Sequence, residues 1–272
     1  MLLVINYYKY HYKYIYQIIF TMKTLDLAIC VFACDTIDFY KQQIKKINET
    51  WGKLANANDN IKLLFFLGET RTDMIGPNYI NLPGVENDNV SALDKQMLGL
   101  KYIHENYNSK FIIVCGTDTY LNIKKLLQFI GNYNSRDNLY IGGHGDKRHI
   151  CNKDIYFHSG GPGFIITNEC LNKLYPLLET AANCWIGLCI DQNIARDLAG
   201  ACDVAIAFLI QLPFINSTIV KIDDLSFLHC NYKGLPCHAN QVDVRNIISC
   251  HKMSLFDFDC FTKILEENNY FV

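Results

Sequence analysis

The chain has no Cys-x-x-Cys pair, no Gly-x-x-x-x-Gly-Lys-Ser/Thr loop, no G-x-G-x-x-G run and no excess of charge of either sign. Each absence excludes a class of function. Without paired cysteines at zinc spacing, a structural zinc site has little support. Without the two glycine fingerprints, neither a P-loop nor a dinucleotide fold is indicated. A net charge of −2 gives no clustered basic surface to neutralise phosphates, so a nucleic-acid partner is not expected. No long uninterrupted apolar run occurs either. Lys9, His11 and Lys13 break the opening stretch MLLVINYYKYHYKYIYQIIF, which lacks the roughly 20 apolar residues of a membrane span and the cleavage pattern of a signal peptide. Residues 1–21 are therefore read as an N-terminal extension, and 22–272 as the domain.

What is present is a chain that is 50% hydrophobic over 272 residues, enough for one substantial core without a second domain. Twelve cysteines are many for this length. They are read either as small buried hydrophobes or as disulfide partners, Cys184 with Cys189 or Cys202 and Cys230 with Cys237. Sequons at Asn48, Asn89 and Asn216 arise easily by chance in an Asn-rich chain and do not decide the compartment.

The apolar runs have strand character. LDLAICVFAC (25–34), IKLLFFLG (61–68) and KFIIVCGTD (110–118) are continuous stretches ended by turn residues, and each is separated from the next by a segment of helical periodicity. Residues 40–51, 90–107 and 121–133 supply that periodicity. Further on, LYIGG (139–143) is a short strand, and residues 155–167 are a strand broken by a glycine-rich bend before a helix over 168–178. Strands apolar on both sides call for helices on both faces. The expectation is an α/β fold with a mixed, mainly parallel sheet that binds its ligands at the carboxyl ends of the strands.

Asp118, just beyond the third run, stands where a carboxylate reaches a ligand in that crevice, or where a turn or helix cap is needed. Asp191 and His251 carry the same two readings, site residue or ordinary cap and surface group. Trp185 is read as a core residue or as a sugar-stacking face. No pair of acids has the spacing that glycoside hydrolysis demands.

Six segments in order resemble the Fringe and core-1 β1,3-galactosyltransferase family. KKINETWG (45–52) is similar to a basic helix ending in T-W, and VSALDKQMLGLKYIHENY (90–107) to the helix that carries a Lys. FIIVCGTDTYLNIKKL (111–126) resembles the strand bearing an acid triplet, and HSGGPGFIIT (158–167) the G-G-A/P-G bend. CIDQNIARDLAGACDV (189–204) resembles the segment around E-D-V/L, and ISCHKM (248–253) the S-F-H pattern. The resemblance implies a glycosyltransferase A-type nucleotide-sugar-binding fold and an inverting transfer from a UDP-sugar to a hydroxyl of a glycan or glycoprotein acceptor, with Mn²⁺ on the diphosphate. It implies Asp118 and His251 as metal ligands and Asp191 as the base. Thr36, Lys95, Thr117, Gly160 and Gly161 would face the donor. Two acids of the family pattern are absent, with Gly116 and Ile190 in their places, so the rival expectation is an inactive carbohydrate-binding or chaperone-like relative. The family works in the secretory lumen behind an anchor; a cytoplasmic setting is the alternative expectation for this chain.

Overall fold

A computed structural model describes residues 23–69, 74–88, 90–143, 145–192, 200–223, 225–234 and 242–268. The three long apolar runs become β1 (Thr24–Phe32), β2 (Ile61–Leu67) and β4 (Asn108–Cys115), all mutually parallel through β1. Along β1, Ala28 and Cys30 enter one core while Leu27, Ile29 and Val31 enter the other. That alternation is why the run is apolar throughout rather than at every second position. The first run stops two residues earlier than the sequence predicts, because Ala33 and Cys34 already belong to the turn leaving the strand.

With β3 (Tyr79–Asn81), β6 (Leu139–Gly142), β9 (Phe164–Thr167) and β10 (Thr218–Lys221), these strands form a seven-stranded sheet. Its order is β10-β6-β9-β4-β1-β2-β3. Among the described strands of this sheet, β9 alone runs against both of its neighbours, pairing antiparallel with β4 and β6. The expected mixed, mainly parallel α/β sheet is therefore present.

One face carries α1 (Asp38–Glu49), α2 (Trp51–Asn56), α4 (Ile123–Ile130) and α8 (Leu255–Glu267). The other carries α3 (Ala92–Asn106), α5 (Asn168–Leu178), α6 (Ala181–Asp191) and α7 (Cys202–Ile210). Local chemistry sets several of the helix starts. Asn122 caps α4 through Lys125 N–H, Thr167 caps α5 through Cys170 N–H, and Ser254 with Asp257 forms a reciprocal capping box on α8. Trp185 is 2% exposed and packs beside Phe208, which settles it as a core residue.

A hairpin, β7 (Gly145–Ile150) and β8 (Lys153–His158), turns through Cys151 and Asn152. Both have positive φ, as a two-residue hairpin turn of the favoured hand requires. A small sheet joins β11 (Phe227–Leu228), β12 (Ser249–Cys250) and β5 (Tyr120–Leu121). Cys184, Cys189 and Cys202 are separate thiols, so neither disulfide considered for Cys184 forms. Cys237, Asn89 and the extension 1–21 lie outside the described residues. Among the described residues no helix is long and apolar enough to cross a membrane.

Candidate active site

The site gathers at the carboxyl end of β4, where the chain leaves the sheet through Gly116, Thr117 and Asp118. Two residues later it enters β5, whose antiparallel partner is β12, with Tyr120 opposite Cys250. His251 is the next residue after β12, so this short pairing carries it to the segment holding Asp118. The imidazole Nε2 of His251 lies 3.1 Å from Asp118 Oδ2, and Met253 N–H donates to the Asp118 carbonyl at 3.0 Å. The indole of Trp51 adds a 3.2 Å bond to the Thr119 carbonyl. Both expected metal residues thus converge.

The glycine bend before β9 locks this pair in place. Because β9 is antiparallel to β4, the bend that starts it falls at the end of the sheet where β4 finishes. Thr119 Oγ1 donates to the Gly161 carbonyl at 2.7 Å, and Ser249 Oγ donates to the Pro162 carbonyl. A Cβ on Gly161 would overlap the His251 ring, and Gly163 has φ +85° with Val114 O 2.7 Å from where a Cβ would be. Glycine is required at both positions by space, and at Gly163 also by torsion.

Gly160 N–H donates to Asp203 Oδ2 at 2.9 Å, while Asp203 Oδ1 accepts from Val204 N–H at 2.9 Å. Asp203 opens α7 and lines a cavity of ≈ 240 Å³ together with Asp118, Gly160, Gly161 and His251. Asp191 does not enter this cluster. It is exposed at the carboxyl end of α6 and lines neither cavity beside Asp118. The carboxylate brought to the site is Asp203, in the same resembling segment, and its following Val204 preserves the D-V signal that Asp191, followed by Gln192, lacks. Cys202, just before it, is raised to about 12 by burial and stays a neutral thiol.

A second cavity of ≈ 230 Å³ opens on the other side of Asp118, toward β1 and α3. Lys95, 1% exposed, reaches into it and donates to the Asp88 carbonyl; burial pushes its ammonium below the ordinary value, against the pull of Cys34 and Asp88. Asp88 is held below its ordinary value chiefly by the Ser91 N–H. Thr117 lines this cavity, but its hydroxyl is committed to Gln43 Oε1 at 2.6 Å. Thr36 is exposed nearby with its hydroxyl donated to the Asn87 carbonyl at 2.5 Å, and it is not a lining residue. Of the five expected donor contacts, Lys95 and Thr117 thus line one cavity, Gly160 and Gly161 the other, and Thr36 neither.

Among the described residues no group of three or more His, Cys, Asp and Glu side chains is close enough to hold a metal ion together. A metal here would have Asp118 and His251 as its protein ligands, leaving its other positions to ligand oxygens and water. The donor set suits a divalent ion. His251 Nδ1 faces the His229 carbonyl at 3.3 Å and Nε2 faces Asp118 Oδ2 at 3.1 Å; with Nδ1–H donating to that carbonyl, Nε2 would be available to a metal shared with Asp118.

A family model described as Fringe-like matches residues 22–233, a span that includes Asp118, Gly160, Gly161 and Asp203 and ends before His251. Chondroitin sulfate synthase 3 of Mus musculus and that of Homo sapiens are each 31% identical to the chain over 105 residues. Those residues are 36% of this chain and 12% of each synthase, so the chain spans a small part of those relatives. Among solved structures, a glycosyltransferase involved in the glycosylation of the major capsid of PBCV-1 is 14% identical with a TM-score of 0.51. The match covers 88% of this chain and 99% of that one, and the likeness is one of fold.

Proposed function

We propose that this chain, which belongs to the Fringe-like family, is an inverting glycosyltransferase that moves a sugar from a UDP-linked donor to a hydroxyl of a glycan or glycoprotein, in β1,3 linkage and with Mn²⁺. The observation that carries the reading is the convergence of Asp118, His251 and Asp203 on one cavity, with a second cavity adjoining at Asp118. A pair able to hold a metal beside a lone carboxylate supplies both charge neutralisation for a departing diphosphate and a base for an attacking hydroxyl. The solved glycosyltransferase of the same fold and the chondroitin sulfate synthases support the same class of chemistry.

In this mechanism the donor's nucleoside lies in the cavity lined by Lys95 and Thr117, and its sugar lies toward Gly160, Gly161 and Asp203. Asp118 Oδ2 and His251 Nε2 would hold the metal, which neutralises charge on the departing diphosphate when bound. Asp203 takes the place expected of Asp191. Its carboxylate is oriented by the Gly160 and Val204 N–H groups, and each oxygen keeps a lone pair for the acceptor hydroxyl. Asp203 receives that proton as the acceptor oxygen bonds to the anomeric carbon and the bond from that carbon to the diphosphate oxygen breaks. Attack from the side opposite the leaving group inverts the anomeric centre.

The test is release of UDP from a panel of UDP-sugars with and without Mn²⁺, for wild type and Asp118→Ala. Metal-dependent release that Asp118→Ala abolishes is expected, and the panel identifies the sugar. Well-folded protein that neither turns over nor binds UDP would overturn the reading in favour of a carbohydrate-binding protein.

A further inference from the structure

The nucleotide cavity is unusual in what it places next to the metal-binding residues. A nucleoside diphosphate has its ribose between base and phosphates, so with the diphosphate at Asp118 the ribose must lie on the part of the cavity nearest that residue. There Gly116 and Thr117 directly precede Asp118 and the Phe32 ring lies against Gly116, with Ala33 next to it in the chain; Cys34, Tyr40, Asp88 and Lys95 are the other described lining residues with polar atoms. Gly116 has no side chain, Ala33 and Phe32 are apolar, and Thr117 is 5% exposed with its proton spent on Gln43. The space above Gly116 is also tight: a Cβ there would sit 3.2 Å from Asp118 Oδ1 and 3.6 Å from the Phe32 ring. Apart from Asp118 the described lining residues include one carboxylate, Asp88, beside Lys95, where its Oδ1 accepts from Val90 and Ser91.

We propose that this site does not read the 2′-hydroxyl of the donor, so that 2′-deoxyribonucleoside diphosphate sugars, thymidine-linked ones included, serve as donors beside uridine-linked ones, with Gly116 as the residue that sets this tolerance. The proposal rests on the nucleotide-sugar reading above. Its physical basis is an asymmetry of recognition. A buried group built to bond a hydroxyl rejects the analogue lacking it by orders of magnitude, because that group is left unpaired, whereas an apolar floor has nothing to leave unpaired. A floor of glycine, alanine and a phenyl edge accepts a ribose and a deoxyribose nearly alike. The chemistry of transfer is unchanged, since the bond broken lies on the far side of the diphosphate from C2′.

The experiment is calorimetric titration of the full-length protein, saturated with Mn²⁺, with UDP, dUDP and TDP. The expected result is a dUDP affinity within about threefold of that for UDP, with TDP in the same range, against the far larger rejection expected of a site built to bond the hydroxyl. Gly116→Asp is expected to create a preference of at least about tenfold for UDP, the worth of one hydrogen bond to a charged group. Gly116→Asn serves as a second variant without added charge. A larger loss for dUDP in wild type overturns the proposal, and if Asp88→Asn removes that loss, Asp88 is the reader instead. TDP excluded while dUDP binds overturns the extension to thymidine. Failure of Gly116→Asp and Gly116→Asn, both folded by circular dichroism, to create any preference overturns the assignment to Gly116. If none of the three nucleotides binds to protein that melts cooperatively, the nucleotide-sugar reading itself has failed and this inference falls with it.

Discussion

Replacing Gly161 with alanine tests whether the glycine bend holds His251, the histidine proposed to ligate the metal. The added Cβ would overlap the Nδ1 and Cε1 atoms of the His251 ring. The bend cannot easily retreat, because the Gly161 and Pro162 carbonyls are bonded by Thr119 and Ser249. The ring is a side chain held by two polar contacts, 3.3 Å to the His229 carbonyl and 3.1 Å to Asp118, and can swing about its own torsions. It is therefore the ring that moves, and Nε2 leaves Asp118. Disturbing the support of a metal ligand costs roughly 10–100-fold in affinity, or about 1.4–2.8 kcal/mol. Residual overpacking costs about 1–3 kcal/mol of stability, and about 2–4 °C of Tm accompanies each kcal/mol at this chain length. Free Mn²⁺ followed by electron paramagnetic resonance at saturating UDP reads the first quantity, and thermal melts read the second. His251→Ala should lose a similar affinity without the overpacking cost, and the double variant should regain stability over Gly161→Ala alone. Gly161→Ala that binds Mn²⁺ like wild type, or a double variant no more stable than the single one, would refute the reasoning.

Asp203→Asn should lower kcat by about 10²–10⁴ while leaving UDP affinity unchanged, as loss of a general base does. Asp191→Asn should leave kcat within about twofold, because that carboxylate stands apart from both cavities; the reverse pattern would restore Asp191 as the base. Asp257 gives a pH signature. Burial alone would raise it, but bonds from Lys233 and Ser254 win and lower it from 3.8. Its contribution is therefore present above that value and lost as pH falls through the lower folded-state value. Asp257→Asn should cost about 1 kcal/mol at pH 7, the usual worth of a helix cap, and progressively less as acid protonates the folded-state carboxylate; chemical denaturation across an acid pH series checks both.

The parts of the fold that were legible in the sequence are those where one residue type repeats over many positions. β1, β2 and β4 announce themselves because both faces are buried, and α3 because Leu93, Met97, Leu100 and Ile103 recur on one side. The contact between Asp118 and His251 has no such periodicity behind it. It depends on two-residue strands, too short to pattern, so only resemblance pointed to it. The carboxylate that lines the cavity lies in the expected segment, at Asp203 rather than at Asp191. Asp191 and Asp203 both follow an apolar residue, but one closes a helix toward solvent and the other opens a helix beside the sheet end. What separates them is the direction of the chain, and the apolar run from Val204 to Ile210 after Asp203 was the usable clue. Thr36 shows a smaller limit: the turn lies where expected, yet the hydroxyl points at a backbone carbonyl that composition cannot foretell.

The two-residue pairing of β5 with β12 also bears on how the chain assembles. It closes a loop that takes in most of the second half of the protein, and closing so long a loop costs entropy before any contact repays it. Asp118 and His251 therefore stand on opposite sides of that closure. A bound nucleotide and ion would act as a clasp on it, stabilising the finished fold by about 2.7 kcal/mol at a hundredfold excess over Kd. Loss of ligand would then register first as fraying of β11, β12 and α8, with the parallel half of the sheet still intact.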